Sequence, residues 1–270
     1  MVALVLVTGA TKGFGKCVAQ EFGRRLDGAS RIVLLGRDAE RLKAVRKSIH
    51  GSSVDLDVKC LPADLSNLDT LEDTVAEALS EHDKYTHGVL VNNAGDINPI
   101  GHVGSPLRDG GISLQSVKGS IDLNVTSCLW FSQNFACAFK RKIGKSVIIN
   151  VSSLAARNPI PSWSIYSAGK CARDMYHTSI ALEQGEHGRI QTLNFAPGPM
   201  ETDMVKFAAV HQYTDKIVKT EYESVRYANP AESAKLCVQY ALSVTKSNGE
   251  EAEFQSGGFF DAYTNEHDWD

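Results

Sequence analysis

The chain has 270 residues, of which 43% are hydrophobic and 22% charged, and its net charge is −4. A chain of this size buries a full core without staples, and it lacks the basic excess that a nucleic acid backbone demands. Its 6 cysteines and 8 histidines are scattered with no zinc-type or HExxH spacing, so neither a metal site nor a disulfide framework is expected.

Residues 1–7 are apolar but have no basic start, and they run straight into a glycine-rich turn. A strand is predicted over 4–7, not a secretion leader. No stretch approaches the length of a membrane span, and with reduced cysteines the cytoplasm is the expected location. Further strands are predicted over 31–35, 54–61, 88–91, 146–151 and 189–195, with a short late one near 253–257. Helical spacing appears over 15–26, where Val18, Ala19, Phe22 and Leu26 share a face, and again over 38–50 and 68–80. Two stretches break the alternation. Residues 96–114 read as a long Gly- and Pro-containing loop. Residues 200–229 are charged with scattered aromatics and are expected to hold one or two short helices, either as a lid over a ligand or as a solvated surface excursion.

Strands rich in Val, Ile and Leu, separated by helices, imply a parallel sheet covered on both faces. Right-handed crossovers make it a doubly wound α/β sheet of Rossmann type, in a single domain over 1–270.

The first strand leads into Gly9-Ala10-Thr11-Lys12-Gly13-Phe14-Gly15, and a helix follows. Glycines allow a tight turn, and the helix start offers free N–H groups to a pyrophosphate. All seven residues are therefore candidate cofactor contacts. An NAD site usually carries an acid at the end of the second strand. Here Gly36 stands at that place, and Arg37 follows it. A guanidinium holds a 2′-phosphate through two hydrogen bonds, and Lys12 adds a second cation, so the expected cofactor is NADPH/NADP+. Asp38 is read as the N-cap of the next helix. Asp64 and Leu65 end the third strand, either beside an adenine or with Asp64 capping the helix after it. Asn92-Asn93-Ala94-Gly95 ends the fourth strand, with Asn93 at the cofactor and its amide able to tie strands together.

Tyr166 and Lys170 lie four residues apart, which places a phenol and an ammonium on one helical face. A close ammonium is expected to lower the phenol's proton affinity and make it a useful acid toward a growing alkoxide. Lys170 is also placed at the nicotinamide ribose. Ser153 stands at the end of the fifth strand, where its hydroxyl can stabilise a substrate oxygen, unless it is only a turn serine. Leu154 beside it is assigned to substrate contact. Asn124 sits in an otherwise apolar helix, either holding a water in a relay to Lys170 or making a structural hydrogen bond. After the sixth strand, Pro197-Gly198-Pro199 fixes a loop, with Gly198 on the substrate side and Thr202 and Met204 on the nicotinamide side.

In this order and spacing, the glycine-rich turn, Asn92 to Gly95, Asn124, Ser153, Tyr166, Lys170 and Pro197-Gly198 resemble the short-chain dehydrogenase/reductase family over nearly the whole chain. The segments 9–15, 163–175, 194–204 and 254–263 resemble one branch of it, the sepiapterin reductases. The resemblance implies an NADPH-dependent carbonyl reductase acting on pterin side-chain ketones in tetrahydrobiopterin synthesis. It also implies that Asp261 binds the pterin's guanidine-like edge. The other reading of Asp261 is an exposed acid in a tail that holds Glu266, Asp268 and Asp270. A homodimer is implied too, with the helices of Asn124 and Tyr166 against a partner. Leu129, Trp130, Phe131, Phe135 and Phe139 suit that contact or the chain's own core. Two other functions compete: reduction of vicinal dicarbonyls of the benzil type, and a non-catalytic protein that senses a dinucleotide. No nucleic acid or membrane partner is expected.

Overall fold

Strands that are apolar on both faces are hidden only when helices cover the sheet from both sides. A computed structural model of the chain describes residues 2–51, 56–184, 188–246 and 255–267. Its strands are β1 (Ala3–Thr8), β2 (Arg31–Gly36), β3 (Asp57–Pro62), β4 (His87–Asn92), β5 (Ser146–Val151), β6 (Ile190–Ala196), β7 (Phe259–Asp261) and β8 (Glu266–His267). They pair in the order β3-β2-β1-β4-β5-β6-β7-β8. All are parallel except the two-residue β8, which runs antiparallel to β7.

The helices are α1 (Gly13–Arg25), α2 (Ala39–His50), α3 (Leu71–Leu79), α4 (Leu114–Ile121), α5 (Ser127–Phe139), α6 (Ser164–Gln184), α7 (Asp203–Val210), α8 (Lys216–Ser224) and α9 (Pro230–Lys246). Alternation along β1 divides the core. Val5 and Val7 face α1, α2 and α9, while Leu4 and Leu6 face α3, α5 and α6. A third apolar cluster lies above the carboxyl ends of the strands and includes Ile97, Trp163, Tyr166, Ala208 and Val218. No described helix is long and apolar enough to cross a membrane.

Several sequence expectations are corrected here. The third strand begins at Asp57, and residues 54–55 of the expected span lie outside the described residues. The late strand runs over Phe259–Asp261, not 253–257. Residues 253–254 lie outside the described residues, and 255–258 turn, with Gly258 N–H donating to Gln255 and Gly257 at φ 87°. The helix expected over 68–80 begins as a 3₁₀ turn, because the Asn67 side chain caps the Asp69 N–H. The 96–114 loop carries a short 3₁₀ turn at Leu107–Asp109, while the 200–229 segment holds two short helices, α7 and α8, in agreement with its expectation. Phe131, Phe135 and Phe139 belong to the chain's own core, while Trp130 stays exposed.

The order of strands reverses between β1 and β4. Doubly wound sheets open a crevice at that point, beyond the carboxyl ends of the strands.

Candidate functional site

A cavity of about 980 Å³ occupies the crevice. Gly9 turns with φ 67°, and a Cβ there would stand 2.8 Å from the Asn93 amide nitrogen. A Cβ on Gly15 would meet the Gly9 carbonyl at 2.5 Å. The Asn93 amide fixes this turn by donating to the carbonyls of Thr8 (2.9 Å) and Gly9 (3.1 Å). The expected tie between strand ends is thus present. Lys12 precedes α1 without a side-chain cap, so the first N–H groups of that helix stay open toward the cavity. Gly9, Thr11, Lys12, Gly13 and Phe14 line the cavity, whereas Ala10 and Gly15 stand behind its wall. The missing side chains make room for a phosphate against backbone, so the turn fits a dinucleotide.

Lys12, Lys16 and Arg37 bring positive charge to this half of the cavity. Arg37 is exposed and forms no hydrogen bond or ion pair among the described residues. Lys12 instead reaches Asp203 at the start of α7, at 2.7 Å. Asp38 caps α2 by accepting from the Arg41 N–H. Asp64 lines the cavity and accepts from the backbone and hydroxyl of Ser66, while Asn67 caps the following turn. The capping alternative for Asp64 therefore falls. Partial burial opposes the Asp64 charge, but the Ser66 hydrogen bonds and nearby Arg37 hold its carboxyl below the usual range. Leu65 and Asn93 also line this half.

Beyond them, β5 and α6 converge. Ser153, Leu154, Tyr166 and Lys170 all line the cavity. Ser153 caps a short turn, accepting from the Ala155 N–H at 3.2 Å, and its side chain lies close enough to the Tyr166 phenol to favour the charged form. The Lys170 ammonium lies 5.5 Å from the centre of the Tyr166 ring and donates to the Val151 carbonyl at 2.6 Å. The electrostatic expectation is corrected. Burial pushes the Tyr166 phenol up, with the Ser153 side chain opposing, and burial pushes the Lys170 ammonium well down. Both groups are shielded from water, so desolvation outweighs the mutual effect expected from spacing alone. Such a phenol holds its proton through the neutral range and can donate it to an oxygen beside Ser153.

Asn124 lies behind the wall, in a π-helical stretch over Asp122–Thr126. Its side chain accepts from the Asp96 N–H and donates to the Asp96 carbonyl and the Ser120 hydroxyl. The structural hydrogen bonds are present, with both amide N–H groups engaged and one acceptor site on the side-chain oxygen left over. Thr202 caps α7 through the Val205 N–H and lines the cavity with Met204 and Gly198. Asp261 is not an exposed tail acid. It is 6% exposed and lines the far end of the cavity, accepting the Tyr263 N–H.

Sequence reading missed Asp96, Ile97, Tyr222 and Tyr263, which also line the cavity. No local pattern marks them, since they come from loops and from α8. It also missed Arg173, Asp174 and His177, although they repeat the helical spacing of Tyr166 and Lys170 and are buried. The His177 Nδ1 lies 2.7 Å from the Arg173 carbonyl and its Nε2 lies 2.9 Å from the Ser132 hydroxyl. A carbonyl only accepts, so Nδ1 carries the proton and Nε2 accepts.

Burial pushes His177 down to about 3 from its ordinary 6.5. The unfolded chain then binds a proton that the fold refuses. Stability is complete above about pH 6.5 and falls toward pH 3, by about 1.4 kcal/mol per pH unit from this group. Denaturant midpoints at pH 5 and pH 7 check this. A His177→Gln variant is expected to lose less stability between the two than the wild type, and equal losses would refute the assignment.

The short chain dehydrogenase family profile matches residues 3–212. The chain is 33% identical over 207 residues to a sepiapterin reductase of Xenopus laevis, covering 76% of each chain. It is 30% identical to a benzil reductase ((S)-benzoin forming) of Bacillus subtilis, covering 74% of this chain and 76% of that one. Among solved structures, a short-chain dehydrogenase from Sphingobium yanoikuyae in complex with NADPH superposes with a TM-score of 0.69 at 26% identity, covering 88% of this chain and 83% of that one.

Proposed function

This chain belongs to the short chain dehydrogenase family, and from that premise we propose that it is an NADPH-dependent carbonyl reductase of the sepiapterin reductase type. One observation carries the reading. The Tyr166 phenol, with Ser153 and Lys170 beside it, shares a cavity with a buried carboxylate, Asp261. The first group can deliver a proton to a ketone oxygen. The second can accept two parallel N–H bonds from a guanidine-like pterin edge.

The glycine-rich turn would hold the dinucleotide, which would supply a hydride to the carbonyl carbon. Tyr166 gives its proton to the oxygen, so a C=O and two hydrogens become a CH–OH. Ser153 holds that oxygen while charge grows on it. Lys170 would hold the cofactor's ribose and Thr202 and Met204 its nicotinamide, while Leu154 and Gly198 would contact the substrate. Arg37 and Lys12 would hold the 2′-phosphate, and for Lys12 that would mean leaving Asp203. A homodimer and a cytoplasmic location complete the reading.

The test is turnover of sepiapterin and of benzil, side by side, with NADPH. Faster reduction of sepiapterin supports the proposal, and reduction of neither ends it. Preference for benzil would favour the second reading, a reductase of vicinal dicarbonyls. The aromatic wall of the cavity, where Trp163 packs against Tyr222 at 5.8 Å, is the observation on its side.

The cofactor assignment has its own measurement. Arg37→Ala is expected to raise the dissociation constant for NADPH about tenfold and that for NADH less than about threefold, as loss of a charge-assisted phosphate contact requires. Equal changes would remove Arg37 from the phosphate.

A further inference from the structure

The face of α6 that carries Tyr166 and Lys170 continues inward with charged groups. Arg173 is 0% exposed and Asp174 8%. A guanidinium is seldom fully buried unless it is well paired, because taking the charge from water costs several kcal/mol. Arg173 donates from Nε to the Asn150 amide oxygen at 2.7 Å, from Nη1 to the Ala94 carbonyl at 3.0 Å, and from Nη2 to the Asn92 carbonyl. Asp174 accepts from the Asn150 amide at 2.8 Å and from the Ser152 hydroxyl at 2.7 Å. The same Asn150 nitrogen reaches Asn194 on β6 at 2.9 Å. The pair therefore joins the carboxyl ends of β4 and β5. One end continues into the cofactor half at Ala94, and the other into Ser153.

We propose that Arg173 and Asp174 are positioning residues that clamp these two strand ends together, fixing Ser153 and the cofactor-side turn at a set separation and presenting Lys170 between opposite charges. The proposal rests on the carbonyl-reductase reading. Four titratable groups lie about Lys170: Arg173, Asp174 and Tyr166 on its own helix, and Cys128 on α5. Arg173 lowers the proton affinity of Lys170 and Asp174 raises it, beneath the larger effect of burial.

The experiment measures kcat, KM and NADPH binding against pH for Arg173→Lys and Asp174→Asn, with benzil or sepiapterin, whichever the wild type reduces. Arg173→Lys keeps the charge and loses the fork. Its kcat is expected to fall at least about tenfold, KM to change less than about threefold, and the dissociation constant for NADPH to rise about fivefold, with the alkaline limb of the kcat profile unmoved. Asp174→Asn removes the anion, so its alkaline limb is expected to move toward lower pH. If Asp174→Asn fails to fold, Asp174→Ser also removes the anion while leaving a hydroxyl to the Asn150 amide. It is expected to move the limb the same way.

Wild-type kcat and NADPH affinity in folded Arg173→Lys would overturn the clamp. An unmoved limb in Asp174→Asn, or in Asp174→Ser where that variant stands in, would overturn the charge balance. Should the wild type reduce neither substrate, the carbonyl-reductase reading fails. NADPH affinity in Arg173→Lys then decides the clamp by itself.

Discussion

Tyr166→Phe is expected to lower kcat for a carbonyl substrate by about 10²- to 10⁴-fold, the range for loss of a positioned general acid. The substitution removes one oxygen from a ring that is 8% exposed and packed edge-on against Trp163, so its shape and burial persist. NADPH binding should stay within about threefold of wild type, because the glycine-rich turn and Arg37 are untouched. Rates with the natural phenol should hold through the neutral range, since burial raises its proton affinity. A decline is expected only well into the alkaline region. Turnover above about a tenth of the wild-type value in Tyr166→Phe would remove the phenol from the chemistry. Loss of reduction with NADPH binding intact excludes the dinucleotide sensor, which needs no acid.

Asp261→Asn separates the two substrate readings. The variant keeps the shape of the side chain but loses the charge and one acceptor. For sepiapterin, KM is expected to rise about 10- to 100-fold, as loss of charge-assisted hydrogen bonding in a buried site implies. For benzil, which has no N–H edge, KM should change less than about twofold. Similar effects on both substrates would mean that Asp261 only supports the strand end. The variant's thermal midpoint guards against a folding defect, because Asp261 also accepts the Tyr263 N–H at 2.9 Å.

Much of the site could be read locally. A strand, a glycine-rich turn and a helix announce a phosphate cradle, because the turn needs residues without a Cβ. Tyr166 and Lys170 share a face by helical period. Asp38 announces itself as a cap. Other features resist such reading. Asp64 suits capping equally well by its place in the sequence, but Asn67 takes that role in the fold. Asn124 suits a relay or a structural hydrogen bond by its place in an apolar helix, and only the fold brings Asp96 and Ser120 to its side chain. Each depends on which partners lie within about 3 Å, and for Asn124 two of the three bonds reach a residue 28 positions away.

The sequence by itself determined the architecture, the cradle and the Tyr166–Lys170 pair. These follow from periods of two and 3.6 residues and from backbone sterics, which act over a few neighbouring positions. Tertiary structure alone decided the proton affinities, the burial of Asp261 and the clamp of Arg173 and Asp174. Those depend on how much water the fold removes and on which distant strand ends it brings together. Spacing suggested that Lys170 would lower the Tyr166 phenol, and burial of both reversed it, because desolvation is a property of the packed interior.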